Sequence, residues 1–261
     1  MKYGFIGCGN MGGALAKALA KATTDFAITD RSGKAIALAA EIPCGYLSSP
    51  EIAAQCDNIF LGVKPHMMKD VLKPLQPILA EKKPLLITMA AGLTLAQIEE
   101  FAGCAIPVIR IMPNTPVAIG KGVIQYCRNE LVTDAMLREF LEDMRYAGIL
   151  DALEERLMDA GSAISGSGPA YVYLMIEALA DGAVACGIPR AKAMEYAAAT
   201  VIGAGEMVLA TGQHPGALKD AVCSPGGSTI AGIRALENHG FRAAAMEAVI
   251  ATWNRNKELG K

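Results

Sequence analysis

The chain has 261 residues, of which 52% are hydrophobic and 19% charged, so it can bury a core in one large domain or two small ones and is not disordered. A formal net charge of −2 and an isoelectric point near 6.0 leave no broad basic field, which argues against nucleic acid as a partner. The seven cysteines (8, 44, 56, 104, 127, 186 and 223) never approach CxxC spacing and have no cluster of metal ligands around them, so a reduced, cytoplasmic protein without a metal site is expected.

The opening stretch, "MKYGFIGCGNMGGALAKALA", superficially imitates a signal peptide, but Gly7, Gly9, Asn10, Gly12 and Gly13 break its apolar run. The longest charge-free run, Ala160 to Ile176, contains "GSAISGSGP" and makes a poor lipid-facing helix, so no membrane span is expected. Buried strands are expected at 3–7, 26–30, 58–63, 84–90 and 107–113. Helical patterns lie between them at 13–22, 34–42, 67–79 and 94–102. That alternation predicts βαβ units and a parallel sheet, extended by strands at 122–127 and 148–153 around a helix at 133–145. After Glu154 the strand signal stops and six helical segments follow, most of them opened by proline or glycine. Two domains are therefore expected: an α/β dinucleotide-binding domain over 1–154 and an all-helical domain over 155–261. The Ala- and Met-rich helices of 157–210 carry few charges, which points to burial between subunits.

Two stretches have the chemistry of anion-binding turns. In "GFIGCGNMG", Gly7, Gly9 and Gly12 follow a strand and open a helix. The first glycine permits the tight turn, the second lets a pyrophosphate approach the backbone, and the third lets the helix pack on the strand. A Rossmann-type nucleotide site is expected there. At the end of the second strand Asp30 suits the ribose hydroxyls of NAD, whereas Arg31, Ser32 and Lys34 suit the extra phosphate of NADP. These residues leave the choice open, with a lean to NADPH. The second stretch is "SPGGSTIAGI". Ser224 is expected as N-cap and Pro225 in the first turn, with Gly226 and Gly227 freeing amides for a carboxylate or phosphate. A well-capped structural helix explains the same residues, and nothing local says which anion would bind.

Several residues have plainer explanations. The methionines at 158, 175, 194 and 207 are expected in helix cores. His214, before Pro215, suits a surface or capping role better than a catalytic one. Lys64 serves equally well as a phosphate partner or as a residue that shapes the loop before Pro65.

The motifs "GFIGCGNMG", "FLGVKPH" (60–66), "IRIMPNTP" (109–116), "SGSGPAYVY" (165–173), "GIPR" (187–190), "QHPGALKDAV" (213–222) and "SPGGSTIAGIRALE" (224–237) span nearly the whole chain. In order and spacing they resemble those of the pyrroline-5-carboxylate reductases, which make proline by reducing a cyclic imine. The resemblance implies NADPH as coenzyme, with NADH as the alternative, and a homo-oligomer, at least a dimer, built through the helical domain. It implies cofactor contacts at Ile6, Gly7, Cys8, Gly9, Asn10, Met11 and Gly12, and at Gly62, Val63, Lys64 and Pro65. Ile111, Met112 and Pro113 would border the nicotinamide. Ser224, Gly226, Gly227, Ser228 and Thr229 would hold the substrate, the turn amides taking its carboxylate and the Thr229 hydroxyl facing the ring nitrogen. Two positions depart from the pattern. Ser49 stands where some members contact the cofactor with asparagine, and Gly212 stands where others carry a glutamate in the pocket wall. Hydroxyacid dehydrogenases share the opening motif, but their catalytic lysine has no counterpart here, since after "SGSGPAYVY" the next lysine is Lys192. A nucleotide sensor that reduces nothing would have no need of the second turn.

Overall fold

In the computed structural model, residues 1–259 are described. Among them, eight strands form a single sheet: β1 (Tyr3–Ile6), β2 (Phe26–Thr29), β3 (Gly45–Tyr46), β4 (Asn58–Leu61), β5 (Leu85–Thr88), β6 (Val108–Met112), β7 (Gly122–Arg128) and β8 (Gly148–Ala152). Their spatial order is β3-β2-β1-β4-β5-β6-β7-β8. Every pairing is parallel except that of β6 with β7. The link over 113–121 holds only a short 3-10 turn, Thr115–Ile119, and is too short for a parallel crossover.

Both faces of the sheet are covered, which is why its strands are almost continuously apolar. On one face Phe5, Phe60, Ile87 and Ile109 pack against α1 (Asn10–Leu19), α2 (Lys34–Glu41) and α7 (Asp134–Asp143) through Leu15, Leu38 and Phe140. On the other, Ile6, Ile59, Leu61 and Leu86 meet α3 (Ser49–Gln55), α4 (Met68–Leu72), α5 (Gln76–Lys82) and α6 (Leu95–Ala102). Phe5 and Phe60, register partners on β1 and β4, stack with ring centroids 4.3 Å apart. The chain runs from β1 outward through β2 and β3, then returns to β4 on the other side of β1. The sheet order therefore reverses between β1 and β4, and such a reversal opens a crevice at the C-terminal strand ends.

Three local expectations need correction. The helix expected over 67–79 is broken into α4, a 3-10 turn at Lys73–Leu75 and α5. Pro74 and Pro77 lack the amides that a continuous helix would need there. Helix α1 begins at Asn10, so Gly12 lies within its first turn instead of preceding it, while Gly9 is the N-cap. The α3 helix and the short β3 strand had no counterpart in the sequence reading.

The chain becomes helical after Leu153, but its compact units divide elsewhere: residues 1–167 with 252–259, and residues 168–251. The helix α8 (Met158–Ser165) belongs to the first unit because a buried guanidinium holds it there. Arg110 on β6 is 3% exposed and reaches Glu155 at 3.4 Å and Asp159 at 3.2 Å. Asn256 Nδ2 donates to the Asp159 carbonyl at 3.2 Å, tying the chain's last helix to α8. Residues 260–261 of the expected helical domain lie outside the described residues.

The second unit consists of α9 (Gly168–Ala185), α10 (Arg190–Thr211), α11 (Pro215–Ala221), α12 (Ser228–Asn238) and the first part of α13 (Phe241–Leu259). Among its described residues only Ala180, Ala193 and Ala197 are buried. Leu174 is 68% exposed, Ile202 61% and Leu209 74%. Of the four methionines expected in helix cores, Met158 is buried, whereas Met175, Met194 and Met207 are exposed within this single chain. Those helices therefore present their apolar faces outward. Among the described residues no helix is long and apolar enough to cross a membrane.

Candidate active site

The crevice at the switch point is a cleft of about 490 Å³. One wall is the loop after β1, Gly9 to Gly12, and the other is the loop after β4, Gly62 to Pro65. Met112 and Pro113 after β6 close the far end. Most of the expected cofactor contacts thus meet in one place, although they come from three separate stretches of chain.

The glycines there have separable roles. Gly7 has φ +101°, a left-handed value that favours glycine, and its amide donates to the Thr29 carbonyl at 2.8 Å. A Cβ on Gly12 would lie 2.2 Å from the Gly7 carbonyl oxygen, and one on Gly62 would lie 2.1 Å from the same atom. These three residues close the loops after β1 and β4 directly on each other's backbone. At Gly9 no protein atom lies within 4 Å of an added Cβ, so no packing requires a glycine there. Gly9 is also the N-cap of α1, with no side-chain cap and no acid in the first turn. The amides of Asn10, Met11 and Gly12 have no carbonyl of their own helix to meet, and the helix dipole favours an anion beside them. An open cradle over Gly9 and free amides below it fit a dinucleotide pyrophosphate.

Not every expected contact lines this cleft. Ile6 and Ile111 are buried in the two core clusters, so toward a ligand they have only backbone to offer. Cys8 is 3% exposed, and its thiol is pushed up to about 12 by burial and then by the charge of Asp30, so it stays protonated. Ser49 is the first residue of α3, behind a capping box in which the Glu51 amide donates to the Ser48 hydroxyl; it is not among the cleft residues. Asp30 and Ser32 pair with each other at 2.7 Å, and Arg31 is exposed with no ion pair among the described residues. Met89, Ala90 and Ala91, which follow β5, also line the cleft and had been missed. Their position at a strand's C-terminal end was the available signal. A second hollow of about 480 Å³ shares Pro65, Ala91 and Met112 with this cleft and adds Gln97, Asp159 and Ser162.

The second expected anion site is built differently from its sequence reading. Helix α12 starts at Ser228 with Gly227 as N-cap, so Ser224 is not the cap. Ser224 to Gly227 instead form a turn closed by the Gly227 amide donating to the Ser224 carbonyl at 3.0 Å. Pro225 and Gly226 occupy its central positions, and Gly226 has φ +69°. A glycine in that left-handed position after a proline suits such a turn. The turn uses the Gly227 amide and leaves those of Ser228, Thr229 and Ile230 in the uncapped first turn of α12. Ser224, Ser228 and Thr229 are exposed, so the turn is open to a ligand. His214 accepts the Gly216 amide through Nδ1 at 3.0 Å and caps α11, as its plainer reading required. Gly212 ends α10 at φ +63°, a backbone state in which a glutamate would be strained.

Comparison with known proteins agrees with both halves. The family model described as pyrroline-5-carboxylate reductase dimerisation matches residues 155–259, and the one described as NADP oxidoreductase, coenzyme F420-dependent, matches residues 2–92. A pyrroline-5-carboxylate reductase of Escherichia coli K12 is 41% identical over 266 residues, which cover 100% of this chain and 98% of that protein. The chain belongs to the pyrroline-5-carboxylate reductase family. Two solved reductases share its fold along the whole chain. The Coxiella burnetii structure has a TM-score of 0.91 at 33% identity and covers 100% of this chain and 98% of its own. The Plasmodium falciparum structure, solved with NADP bound, has a TM-score of 0.88 at 34% identity with the same coverage. In this reductase the matched dimerisation region contains the turn at Ser224 to Thr229 and the exposed apolar helices.

Proposed function

We propose that this reductase converts 1-pyrroline-5-carboxylate to L-proline with NADPH, NADH serving as the alternative coenzyme. The observation that carries the reading is the cleft at the β1–β4 switch point, with Gly9 unobstructed at the N-terminus of α1, in a chain of this family. When bound, the nicotinamide supplies a hydride to the C=N carbon. The chain's own groups do the rest. The amides of Asn10, Met11 and Gly12 hold the pyrophosphate, with Val63, Lys64 and Pro65 as the opposite wall. Met112 and Pro113 border the nicotinamide. The amides at the start of α12 hold the substrate carboxylate. The Thr229 hydroxyl holds the ring nitrogen and relays a proton from water. The proton on nitrogen and the hydride on carbon together convert C=N to CH–NH, so no strong protein acid is needed once the imine is protonated. Oxidation of NADPH and NADH, followed in parallel with pyrroline-5-carboxylate and with proline measured as product, tests the reading. Failure of both coenzymes would overturn it.

Arg31, exposed beside Asp30, is placed in this reading on the extra phosphate of NADPH. Arg31→Ala is expected to raise KM for NADPH roughly tenfold or more, since charge-assisted contacts are the stronger class, and to leave NADH little changed. Equal loss for both coenzymes would remove Arg31 from that role.

The same reading makes the protein a homo-oligomer, at least a dimer, assembled through its helical region. Support comes from the second unit, in which three alanines form the buried set while Leu174, Ile202 and Leu209 stand exposed. A soluble chain rarely leaves apolar surface of that extent uncovered. Sedimentation of the full chain at micromolar concentration is expected to give a dimer or larger species, and a monomer would contradict the assignment.

A further inference from the structure

The second hollow, of about 480 Å³, lies within the first unit and adjoins the coenzyme cleft through Pro65, Ala91 and Met112. Most of its remaining wall comes from α6 and the loop before it, from α8 and from α13. Of the residues that line it, only Asp159 and His66 are ionisable, and no lysine or arginine is among them. The Asp159 side chain is 35% exposed, so its carboxylate is open to a ligand. The cation that holds it stays behind the wall. Arg110, with its side chain 4% exposed, reaches Asp159 Oδ1 at 3.2 Å and Glu155 Oε1 at 3.4 Å. Glu155 Oε1 also accepts the Leu95 amide at 2.7 Å, which turns that carboxylate toward the start of α6. Two carboxylates share one guanidinium, so one negative charge is left over, and Asp159 is the member of the pair that lines the hollow. Among the described residues Arg110 is the sole partner of the Asp159 carboxylate. Asn256 Nδ2 fixes the backbone of Asp159 from the other side.

The substrate of the proposed reaction is an anion at one end and, once its imine is protonated, a cation at the ring nitrogen. A wall with a fixed carboxylate and no lysine or arginine suits the cationic end. A ring in this hollow would also lie beside Met112, assigned to the nicotinamide border, as hydride transfer requires. We propose that Asp159 is a substrate-binding residue of this reductase, its carboxylate the counter-charge to the protonated ring nitrogen, with Arg110 as the residue that positions it. The hydride goes to carbon and the nitrogen keeps its proton, so Asp159 neither gives nor takes one. A charge acts across distances that a hydrogen bond does not span, so this role is separate from that of the Thr229 hydroxyl. The inference rests on the reaction assigned above.

The probes are L-proline and tetrahydrofuran-2-carboxylate, in which a ring oxygen replaces the charged nitrogen. Each is measured as a competitive inhibitor of pyrroline-5-carboxylate reduction by the full-length protein. Asp159→Asn keeps the side-chain shape and removes the charge. It is expected to weaken proline, and to raise KM for pyrroline-5-carboxylate, roughly tenfold. The ring-oxygen analogue should bind as before or more tightly, and coenzyme affinity should not change. A merely structural role would weaken both inhibitors alike. Asp159→Glu retains the charge and should restore the preference for proline. His66→Lys, at an exposed position of the same lining, adds a cation and should shift the two inhibitors in the same sense as Asp159→Asn, which covers the case in which the asparagine variant does not fold. In a protein that reduces the imine, the proposal is overturned by an equal loss of both inhibitors or by an unchanged ratio in Asp159→Asn, or in His66→Lys if the first does not fold. An unaltered protein that reduces no pyrroline-5-carboxylate would overturn the assigned reaction, and this role with it.

Discussion

1-Pyrroline, the substrate ring without its carboxylate, is expected to be reduced by the unaltered enzyme with kcat/KM lower by about two orders of magnitude or more. The estimate follows from the loss of charge-assisted bonds to backbone amides, each worth roughly 1.5–3 kcal/mol. Uncapped amides at Ser228, Thr229 and Ile230 are what the carboxylate would lose. Binding energy from a group remote from the reacting bond also orients that bond, so kcat should fall along with affinity. Substrate truncation is cleaner than mutation here. A Cβ on Gly227 would lie 2.5 Å from Ser224 Oγ and 3.1 Å from the Ser224 carbonyl, so Gly227→Val disturbs the turn itself as well as any anion above it. Thr229→Ala retains the amide and removes the hydroxyl, and should lower turnover while coenzyme binding survives. Equal turnover of 1-pyrroline and its carboxylate would remove the anion site, and full activity of Thr229→Ala would remove only the hydroxyl's role.

The second large effect separates two glycines of one motif. Gly12→Ala is expected to destabilise the protein by about 1–3 kcal/mol, the range for overpacking, and more if the loops cannot yield. Its Cβ meets a backbone oxygen at 2.2 Å, and that oxygen cannot turn aside as a side chain would. Gly9→Ala has open space and an ordinary φ of −64°, so its cost to stability should be about 1 kcal/mol or less, the scale of an N-cap exchange. The same methyl group projects into the open space proposed for the pyrophosphate and should weaken either coenzyme at least about tenfold. Thermal melts of the coenzyme-free variants, paired with coenzyme titrations, check both halves. A Gly9→Ala protein that binds coenzyme normally would show that the pyrophosphate does not rest on that turn.

The parallel order, the alternation of strands and helices and the helical remainder were legible because each strand is a short apolar run and each helix has the wider period. The small elements were not. β3 has two residues, Gly45 and Tyr46, too few to show any period. α3 did have a signal, since Ser48 and Glu51 have the spacing of a capping box, but its seven residues contain little apolar pattern. The break between α4 and α5 was written in Pro74 and Pro77 and was overridden by the apolar spacing around them. At the second turn the composition was legible and the geometry was not. Ser224 is a good capping residue, and only the closed Ser224–Gly227 turn moves the helix start to Ser228. That Asp30 Oδ1 is buried without a hydrogen-bond partner could not be read at all from sequence, because burial of one carboxylate oxygen depends on how residues distant in the chain pack around it.

The mutual contact of Gly7, Gly12 and Gly62 bears on how such an enzyme can diverge. Any change at one of the three displaces the backbone of another, so the phosphate end of the cleft is closed to single-step variation. The end of β2 has no such interlock: Arg31, Ser32, Gly33 and Lys34 are exposed, and a Cβ on Gly33 would meet nothing within 4 Å. Descendants of this chain are free to exchange residues there while the contact of the three glycines is inherited intact. Diversity in coenzyme use should therefore accumulate at the adenosine end, one substitution at a time, on a hinge of glycines that does not change.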